Sequence, residues 1–368
     1  MRLLDSFARS NSEARTRRLC SLLVAALALG GCPSRESVGT TSMSILGAGI
    51  VNDPANKSLR FDILKFGLDS FCREMLKSGA PLKLADEDPV VGRFYAKSCQ
   101  SQVIDEEQRK SFVVQYQGQG FAWGGPFGRV GFEAAGLIEF APDFQLHDGA
   151  MYVYFRPRLV DTSTFTLLSV EGQVAQTVVA AVGLDPQALG KKIVDSQLRR
   201  GFTVVRADST GATEYGSGII PPGERPFHPF QVESEDKRVV VNERTEVHSG
   251  QQDYVGAFDV EGSGQALYLT LSVDGAPSIE ALIVPGAEGD TLVDGYIRSP
   301  GPKRPAGKPL LDEPVAAGKL FRRFVNVPAG RYYLLLDHSD RVSNGPAPSL
   351  TADQAAKVDY LILVGDAP

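Results

Sequence analysis

The chain has 368 residues, with 38 Lys and Arg against 44 Asp and Glu, which gives a formal net charge of −6 at pH 7. This acidic balance argues against binding to nucleic acid or to anionic lipid, where clustered basic side chains supply most of the attraction. The length suits two domains, and 38 glycines and 23 prolines among short apolar runs favour mainly β structure.

The first 32 residues are organised like an export signal. Arg15, Arg17 and Arg18 precede an uninterrupted run of apolar and small residues from Leu19 to Leu29. That run has 11 residues, whereas a membrane-spanning helix needs about 20. Its length is therefore typical of the apolar part of a cleaved signal peptide.

The next stretch, Leu29-Gly30-Gly31-Cys32, resembles the lipobox of bacterial lipoproteins. In that family a leucine and two small residues precede a cysteine that is acylated and becomes the first residue of the mature protein. The resemblance implies a lipid on Cys32 and attachment to a membrane of the cell envelope. Pro33, in place of the Asp that retains such proteins in the inner membrane, implies the outer membrane. The alternative is an ordinary signal peptide in which Cys32 carries no lipid.

The part of the chain after the signal is more acidic, with 33 basic and 42 acidic residues and a net charge of −9. Residues 33–45 are polar and rich in Ser and Thr, which predicts a flexible tether. Besides Cys32, only Cys72 and Cys99 remain, and an isolated pair in an exported chain predicts one disulfide. A two-cysteine metal site and a catalytic thiol are the weaker alternatives.

Residues 46–232 are predicted to form an α+β domain, an antiparallel sheet with helices on one face. Its first helix starts at Asp53-Pro54 and ends at Ser78-Gly79. The acidic stretch from Val103 to Lys110 predicts a short helix, and two more helices are expected from Val174 to Gly183 and from Asp185 to Gly201. The predicted strands are Val90–Lys97, Phe112–Gln117, Val130–Phe140, Met151–Leu159, Thr164–Val170, Phe202–Arg206 and Glu214–Ile220.

The proline-rich segment from Pro221 to Phe230 predicts a domain boundary. Residues 238–368 beyond it are predicted to form a β-sandwich or jelly roll without helices. A stretch with five prolines from Ser299 to Val315 is expected to be a long loop. The eight predicted strands are Val239–Val247, Tyr254–Val260, Ala266–Val273, Ile279–Val284, Thr291–Ile297, Leu320–Val327, Arg331–Asp337 and Val358–Val364.

Two stretches of this second domain resemble the bacterial pre-peptidase C-terminal domains. They are Asp253–Val260 (DYVGAFDV) and Val327–Leu334 (VPAGRYYL). In that family a late turn similar to PAGTYY leads into a strand near the end, and Arg331 replaces the usual Thr here. The resemblance covers about a third of the chain and implies an accessory fold that binds a substrate or has a structural role.

The glycine-rich stretch from Gly118 to Gly128 contains the only tryptophan, Trp123, between Phe121 and Phe127. One interpretation is a ligand loop whose aromatic rings hold a sugar or an apolar molecule. The alternative is a connection between two strands, with glycines that allow a positive φ and aromatic side chains that cap the core.

Motifs of catalysis are missing from the sequence, which has no G-x-S-x-G, no H-E-x-x-H and no P-loop. None of the four histidines lies three or four residues from another, which excludes a metal-binding pair on one helix, although three could still meet in space. No metal site and no cofactor are predicted. Glu133 and Glu139 could share one face of a strand as a general acid and base, or simply face solvent.

The leading functional hypothesis is a non-catalytic, membrane-anchored envelope protein that binds a protein or a glycan. An alternative is a carrier for lipid or another apolar ligand, held between sheet and helices. A hydrolase without recognisable motifs comes third.

Overall fold

The structure, a computed structural model, has fifteen β-strands and four complete α-helices within the residues that it describes, which begin with the helical residues 49–52. The described residues are 49–68, 70–124, 128–171, 186–207, 213–232, 236–299, 301–339 and 355–368. Cys32, the predicted tether, Phe127 and the predicted helix from Val174 to Gly183 lie outside them.

The predicted first helix is present as two pieces. Asp53 caps a short 3₁₀ turn (Pro54–Asn56) because its Oδ1 accepts a hydrogen bond from the amide of Ala55 at 2.8 Å. Helices α1 (Lys57–Leu68) and α2 (Phe71–Met75) follow. Cys72 of α2 forms a disulfide with Cys99, whose Cα lies 5.3 Å away. The bond joins α2 to the sheet that follows.

Seven sequential strands form one antiparallel meander in chain order. Helix α3 (Pro186–Arg200) lies between the fifth and the sixth strand. The strands are β1 (Ala80–Leu82), β2 (Gly92–Asp105), β3 (Lys110–Trp123), β4 (Arg129–His147), β5 (Ala150–Val170), β6 (Phe202–Ala207) and β7 (Thr213–Ser217). These elements, with α1 to α3, are called the meander lobe below.

Three predictions within the meander lobe are wrong in detail. The stretch from Val103 to Lys110 is a hairpin between β2 and β3, because the acidic run lies at a tight turn where Glu106 and Arg109 exchange backbone hydrogen bonds. Gly118–Trp123 belong to β3 and not to a loop. The two predicted strands between Met151 and Val170 are one bent strand, β5.

The meander is curled around its helices. Its concave face packs Leu64 and Leu68 of α1 and Val194 of α3 against a cluster of aromatic side chains. The loop after β1 contacts the last strand, because the Asp86 carboxylate accepts a hydrogen bond from the amide of Ser217 in β7 at 2.7 Å.

The C-terminal elements form an eight-stranded sandwich, called the sandwich lobe with its helix α4 (Gly286–Arg298). Its sheets have the orders β13-β10-β15-β8 and β12-β11-β14-β9. First pairs with last, second with seventh, third with sixth and fourth with fifth, which is jelly-roll connectivity. The strands are β8 (Arg238–His248), β9 (Gln251–Val260), β10 (Gln265–Asp274), β11 (Ser278–Pro285), β12 (Leu311–Ala316), β13 (Phe321–Asn326), β14 (Gly330–His338) and β15 (Ala355–Asp366).

The predicted mainly β, α+β fold with a C-terminal sandwich is confirmed. Two elements of the sandwich lobe differ from the prediction: one predicted strand is a helix, and one strand was not predicted. Thr291–Ile297 was predicted as a strand but lies in α4, whose Gly289 lets the helix approach the ring of Tyr333 closely. β12 was missed because Pro314 interrupts it. An edge strand tolerates proline, and β12 is the edge of its sheet.

The two lobes pack directly on each other. Helix α4 lies between the β9–β11–β14 surface and the outer face of the meander, where it contacts β3, β4 and β5. Tyr95 and Phe121 of the meander share one buried cluster with Tyr254 and Tyr296 of the sandwich lobe. Residues 50–368 form one compact unit.

Candidate binding groove

The outer face of the meander has a covered half and an open half. Along β3, Phe112, Val114 and Tyr116 face the concave core, so the alternating residues Gln115, Gln117, Gln119 and Phe121 face outward. Gln119 is 4% exposed and Phe121 is also 4% exposed, whereas Gln115 and Gln117 are exposed. The boundary between the two halves therefore falls between Gln117 and Gln119.

Aromatic rings fill the centre of the covered half. The ring of Phe121 meets that of Tyr296 edge-on at 5.0 Å between centroids and that of Tyr254 at 6.3 Å. Tyr95 donates a hydrogen bond from its hydroxyl to the backbone oxygen of Tyr254 at 2.6 Å. Gln119 donates to Asp294 of α4 at 2.6 Å. Polar groups at this contact are thus paired across the lobes.

A buried ion pair also joins the lobes. The guanidinium of Arg93, in β2, donates to both carboxylate oxygens of Asp253, in β9, at 2.7 and 2.9 Å. It also donates to the hydroxyl of Tyr360 at 2.7 Å, which in turn donates to Glu243 at 2.7 Å. Burial raises the pKa of Tyr360 well above its ordinary value. An ion pair at 2% and 4% exposure persists because each charge is paired and hydrogen-bonded.

Arg129 makes a second polar contact between the lobes. Its guanidinium lies 3.9 Å from the centroid of the Tyr296 ring and donates to the backbone oxygens of Tyr296 and Ser299. Ser169 donates to the backbone oxygen of Ile297 at 2.7 Å. The carboxyl end of α4 is therefore held by donors from β4 and β5, which suits the negative end of a helix dipole.

The aromatic residues of the predicted ligand loop lie in or beside this contact. Phe121 is buried and closed to any ligand. Trp123 is half-buried, and one face of its indole stacks on the imidazole of His248 at 3.7 Å and 13°. His248 also lies 3.0 Å from the carboxylate of Glu246. Phe121 and Trp123 thus lie in strand β3, and both contact the sandwich lobe. Phe127 lies outside the described residues.

The open half of the outer face contains a groove of about 350 Å³ that crosses four strands. It is lined by Ser98 and Gln100 of β2, Gln115, Tyr116 and Gln117 of β3, Ala135, Gly136 and Leu137 of β4, and Asp161 and Ser163 of β5. Side chains that accept or donate hydrogen bonds predominate in this lining.

The sheet register arranges these residues in two rows. Ser98 lies opposite Gln117, which lies opposite Ala135. In the next row Gln100 lies opposite Gln115, and Leu137 lies opposite Asp161. Adjacent strands are about 4.8 Å apart, so each row extends about 14 Å across the three spacings between β2 and β5.

Two irregularities of the sheet shape the groove. β2 has one extra residue, Lys97, between the pairs of Ala96 and Ser98, and β5 has one extra residue opposite Gly136. Bulges bend a strand and change where its side chains point. Here Thr162 faces inward, where its hydroxyl donates to Asp195 of α3, while Ser163 remains exposed on the groove side.

Gly136 is required at the floor of the groove. A Cβ at this position would lie 2.4 Å from the backbone oxygen of Asp161 and 2.8 Å from the hydroxyl of Tyr116. The Tyr116 hydroxyl is within 3.2 Å of the Thr162 hydroxyl. The floor is therefore fixed by close packing and by a hydrogen-bonded link to α3.

The groove is polar and carries little charge. The amides of Gln100 and Gln115 make no hydrogen bond within the part of the chain that the structure describes, whereas Gln117 donates to Glu133 at 3.2 Å. Asp161 is the one charged residue of the lining, and none of its ten residues is Lys, Arg or His. The groove therefore presents amides, hydroxyls and one carboxylate to a ligand.

The structure separates the two carboxylates that the sequence suggested as an acid and base. Arg109 donates to both oxygens of Glu139 at 3.1 and 2.6 Å, and this hydrogen bond lowers the pKa of Glu139. Glu133 is bonded to Gln117 instead and pairs with a different part of β3. The two carboxylates thus have separate partners.

The histidines do not line the groove. His147 lies beside Asp148, His228 and His338 are bonded to backbone oxygens of Asn242 and Val247, and His248 stacks on Trp123. Among the described residues, no group of three or more His, Cys, Asp or Glu side chains could hold a metal ion. In the same ranges, no α-helix is both long and apolar enough to cross a membrane.

Comparisons with known proteins add no family. No family model matches the chain, and no curated protein matches it. Among solved structures, a chain from "Structure of infectious bursal disease virus Gx strain" is 10% identical and is matched over 77% of this chain and 74% of that one, with a TM-score of 0.20. A TM-score this low supports no argument about fold or function.

The groove residues were not singled out in the sequence. The signal for them is the alternation of Gln115, Gln117 and Gln119 with core residues along β3, which marks one polar face of a strand. Gln119 belongs to this pattern but is covered by α4. The pattern therefore marks the face but not the part of it that stays open.

Proposed function

We propose that the protein is a non-catalytic lipoprotein of the bacterial cell envelope that is anchored by a lipid on Cys32 and binds a partner in the groove of the meander lobe. The observation that carries the binding role is the groove itself, whose floor is fixed by packing and whose lining includes the amides of Gln100 and Gln115, which have no partner within the described part of the chain. Ligand sites are usually pre-formed, with a few polar groups that fix the orientation of the ligand, and this groove has such groups although it is shallow and open to solvent.

The proposed location rests on the sequence. The run from Leu19 to Leu29 and the stretch Leu29–Cys32 support export and acylation, and Pro33 supports the outer membrane. A lipid chain on the mature N-terminus, followed by a polar tether, would hold residues 50–368 beside the membrane without any spanning helix.

The sandwich lobe is proposed to have an accessory role, as the resemblance to pre-peptidase C-terminal domains implies. The two stretches that carry this resemblance are neighbours in the sheet, since Gly330 pairs with Val260 and Leu334 pairs with Val255. This sheet lies against the meander. We therefore propose that the sandwich lobe stiffens the sheet that bears the groove.

A carrier for an apolar ligand is the second candidate, and the curled meander with its aromatic concave face favours it. Phe155 and Phe202 stack at 4.3 Å, and Phe71 meets Phe112 edge-on at 5.2 Å. These rings occupy space that an apolar ligand would need, so the carrier ranks below the groove. Native mass spectrometry of the purified protein would show a copurified lipid if the carrier function were correct.

The anchor is tested by labelling cells that express the full chain with an alkyne analogue of palmitate. We expect label on the wild type and none on Cys32→Ala, with the wild type in the membrane fraction and the variant released from it. Cys72→Ser together with Cys99→Ser is the matched control and should keep the label. Equal labelling of wild type and Cys32→Ala would refute the anchor.

The binding role is tested by photocrosslinking in the envelope. A photoreactive amino acid replaces Gln117 in the groove or, as a control, Gln102, which is exposed on the same face of the sheet outside the groove. We expect a crosslinked product from position 117 alone. Products from both positions, or from neither, would count against a role for the groove.

A further inference from the structure

We infer that the groove binds a neutral, hydroxyl-rich glycan chain. This inference rests on the proposed function, because it names the class of partner that the same groove would hold. Charge, hydrogen-bonding capacity, the absence of protein-type contact residues and the shape of the groove all support it.

The charge of the groove excludes polyanions. Asp161 is the one charged residue of the groove lining. A second carboxylate, that of Glu133, accepts a hydrogen bond from the lining residue Gln117. Phosphate-rich or carboxylate-rich polymers would meet negative charge without a basic side chain to pair with, in a protein that is acidic as a whole. A neutral ligand incurs no such repulsion.

The side chains match hydroxyl groups well. A glutamine amide offers two donors and one acceptor oxygen, and a serine hydroxyl both donates and accepts. A sugar hydroxyl likewise donates and accepts, so Gln100, Gln115 and Gln117 can each bind it in either direction. The Asp161 carboxylate only accepts, and its two oxygens can take the protons of two neighbouring hydroxyls on one sugar ring.

The lining lacks the residues that protein partners use. Protein interfaces are enriched in Tyr, Trp, Phe, Met and Arg near their centre. The groove has Leu137 as its large aliphatic side chain, and the one aromatic residue, Tyr116, is 4% exposed with its hydroxyl turned toward Thr162. A peptide would therefore find few anchoring contacts here.

The shape favours a chain over a single sugar. Two rows of residues, polar on β2 and β3 and apolar on β4, run side by side across the sheet, and each extends about 14 Å, longer than one sugar ring. Because the rows cross the sheet, the ligand chain would lie perpendicular to the strands. Each ring would then meet the side chains of a different strand.

Binding should be weak for one protein molecule. Each hydrogen bond to a solvent-exposed group contributes little after water is displaced, and the groove has no ring to stack on a sugar face. Many copies attached to one membrane and facing one polymer would raise the overall affinity through multivalency. We therefore expect a dissociation constant of about 1 mM for a hexasaccharide in solution.

The test is to titrate the detergent-solubilised full chain with oligosaccharides and to measure binding by calorimetry and by protein NMR. The probes are the neutral hexasaccharides of β-1,4-glucose, α-1,4-glucose and β-1,4-N-acetylglucosamine, with the hexamer of galacturonic acid as an acidic counterpart. We expect saturable binding of at least one neutral probe and none of the acidic one. Neutral binding should not fall in high salt, because no ion pair forms.

The variants separate the groove from the rest of the face. Gln115→Ala combined with Gln117→Ala should weaken binding about tenfold, and Asp161→Asn about threefold. Gln102→Ala is the matched control and should bind like the wild type. All of these side chains are exposed, so thermal melts should show folded protein throughout.

Two outcomes would overturn the inference. One is that no neutral probe binds at 20 mM, or that the acidic hexamer binds as well as the neutral ones. The other is neutral binding that survives the groove variants. Neither outcome decides the proposed function, because crosslinking at position 117 tests for a partner of any class. A protein captured there, with no glycan bound, would leave the groove a binding site and reject the glycan.

Discussion

The two halves of the meander's outer face are built on the same strands but have opposite environments. On β3, Phe121 and Gln119 are buried against the sandwich lobe, and the next outward residues, Gln117 and Gln115, are exposed. Between Gln119 and Gln117, two residues apart on β3, the outer face thus changes from buried to exposed. The sequence alternation is the same in both halves, so the packed lobe and not the local pattern decides which half is buried.

The halves also differ in how their polar groups are satisfied. In the covered half Arg93 is paired with Asp253 and Tyr360, and Gln119 with Asp294. In the open half the amides of Gln100 and Gln115 have no partner among the described residues. If the covered half holds the lobes together and the open half is free for a ligand, substitutions should affect stability in the first and binding in the second.

The largest loss of stability is expected for Arg93→Met. It leaves the Asp253 carboxylate buried without its cation, which costs about 3–5 kcal/mol of unfolding free energy. Urea denaturation followed by circular dichroism measures the loss. The double variant Arg93→Met with Asp253→Asn should recover most of it, because the fully buried Asp253 charge is then also removed. A double variant as unstable as the single one would show that packing and not charge dominates at this position.

Phe121→Ala should have the next largest effect. The substitution removes a ring that lies between Tyr254 and Tyr296, and we expect a loss of about 3 kcal/mol from the lost burial and the remaining cavity. The same denaturation experiment applies. Phe324→Ala, at an aromatic residue that is 52% exposed, is the control and should change stability by less than about 0.5 kcal/mol.

A smaller effect on stability is expected from Glu280 and Asp312, two neighbouring acidic side chains of the sandwich lobe. Burial, with a hydrogen bond to Asp312, raises the pKa of Glu280 to about 8, and burial also raises the pKa of the nearby Asp337. Between about pH 4.5 and pH 8 the folded protein thus binds more protons here than the unfolded chain, so stability should fall as pH rises through this window.

Glu280→Gln isolates that contribution. The melting temperature of the variant should decline less than that of the wild type between pH 5 and pH 8. Parallel curves for the two proteins would show that Glu280 ionises normally. Arg93 and Asp253 form the contrasting case, in which burial is compensated by opposite charge.

The smallest effect on stability is expected in the groove. Gln115→Ala with Gln117→Ala should leave the urea midpoint within about 0.5 kcal/mol of the wild type, although it removes the proposed ligand contacts. A loss above about 1.5 kcal/mol would mean that these amides support the sheet, and the contrast between the halves would fail.

Much of the fold was predictable because the strand patterns are local. The alternation of Leu267, Leu269, Leu271 and Val273 marks β10, and all four side chains are 0–2% exposed. Asp53-Pro54 marks the first helical segment. Such signals depend only on neighbouring residues in the sequence, so they predict an element correctly where no long-range contact overrides them.

The errors arise where a long-range contact sets the residue type. Thr291–Ile297 was predicted as a strand but belongs to α4, where a Cβ on Gly289 would lie 2.1 Å from the ring of Tyr333, so glycine allows the helix to pack closely. Gly118 was assigned to a loop, whereas a Cβ there would meet the backbone oxygen of Tyr95 at 2.3 Å in the sheet. At both positions, close contact with a residue that is distant in sequence requires glycine.

The groove was not predictable for the same reason. Its lining comes from four strands whose pairing and bulges set the rows. The sequence shows polar residues on each strand, but not that Lys97 and the residue opposite Gly136 are extra. It also cannot show that α4 covers Gln119 and stops short of Gln117.

The hydrogen bond from the Ser217 amide to Asp86 has a consequence for the behaviour of many copies together. A sheet with two free edges can add a strand from another molecule, and chains anchored to one membrane, as proposed above, would meet one another at high local concentration. The Ser217 amide is one of the groups that an incoming strand would need, and it is already taken. Because Asp86 also accepts from the amide of Phe227, the exposed edge of β7 is tied into its own chain, which opposes polymerisation through that edge.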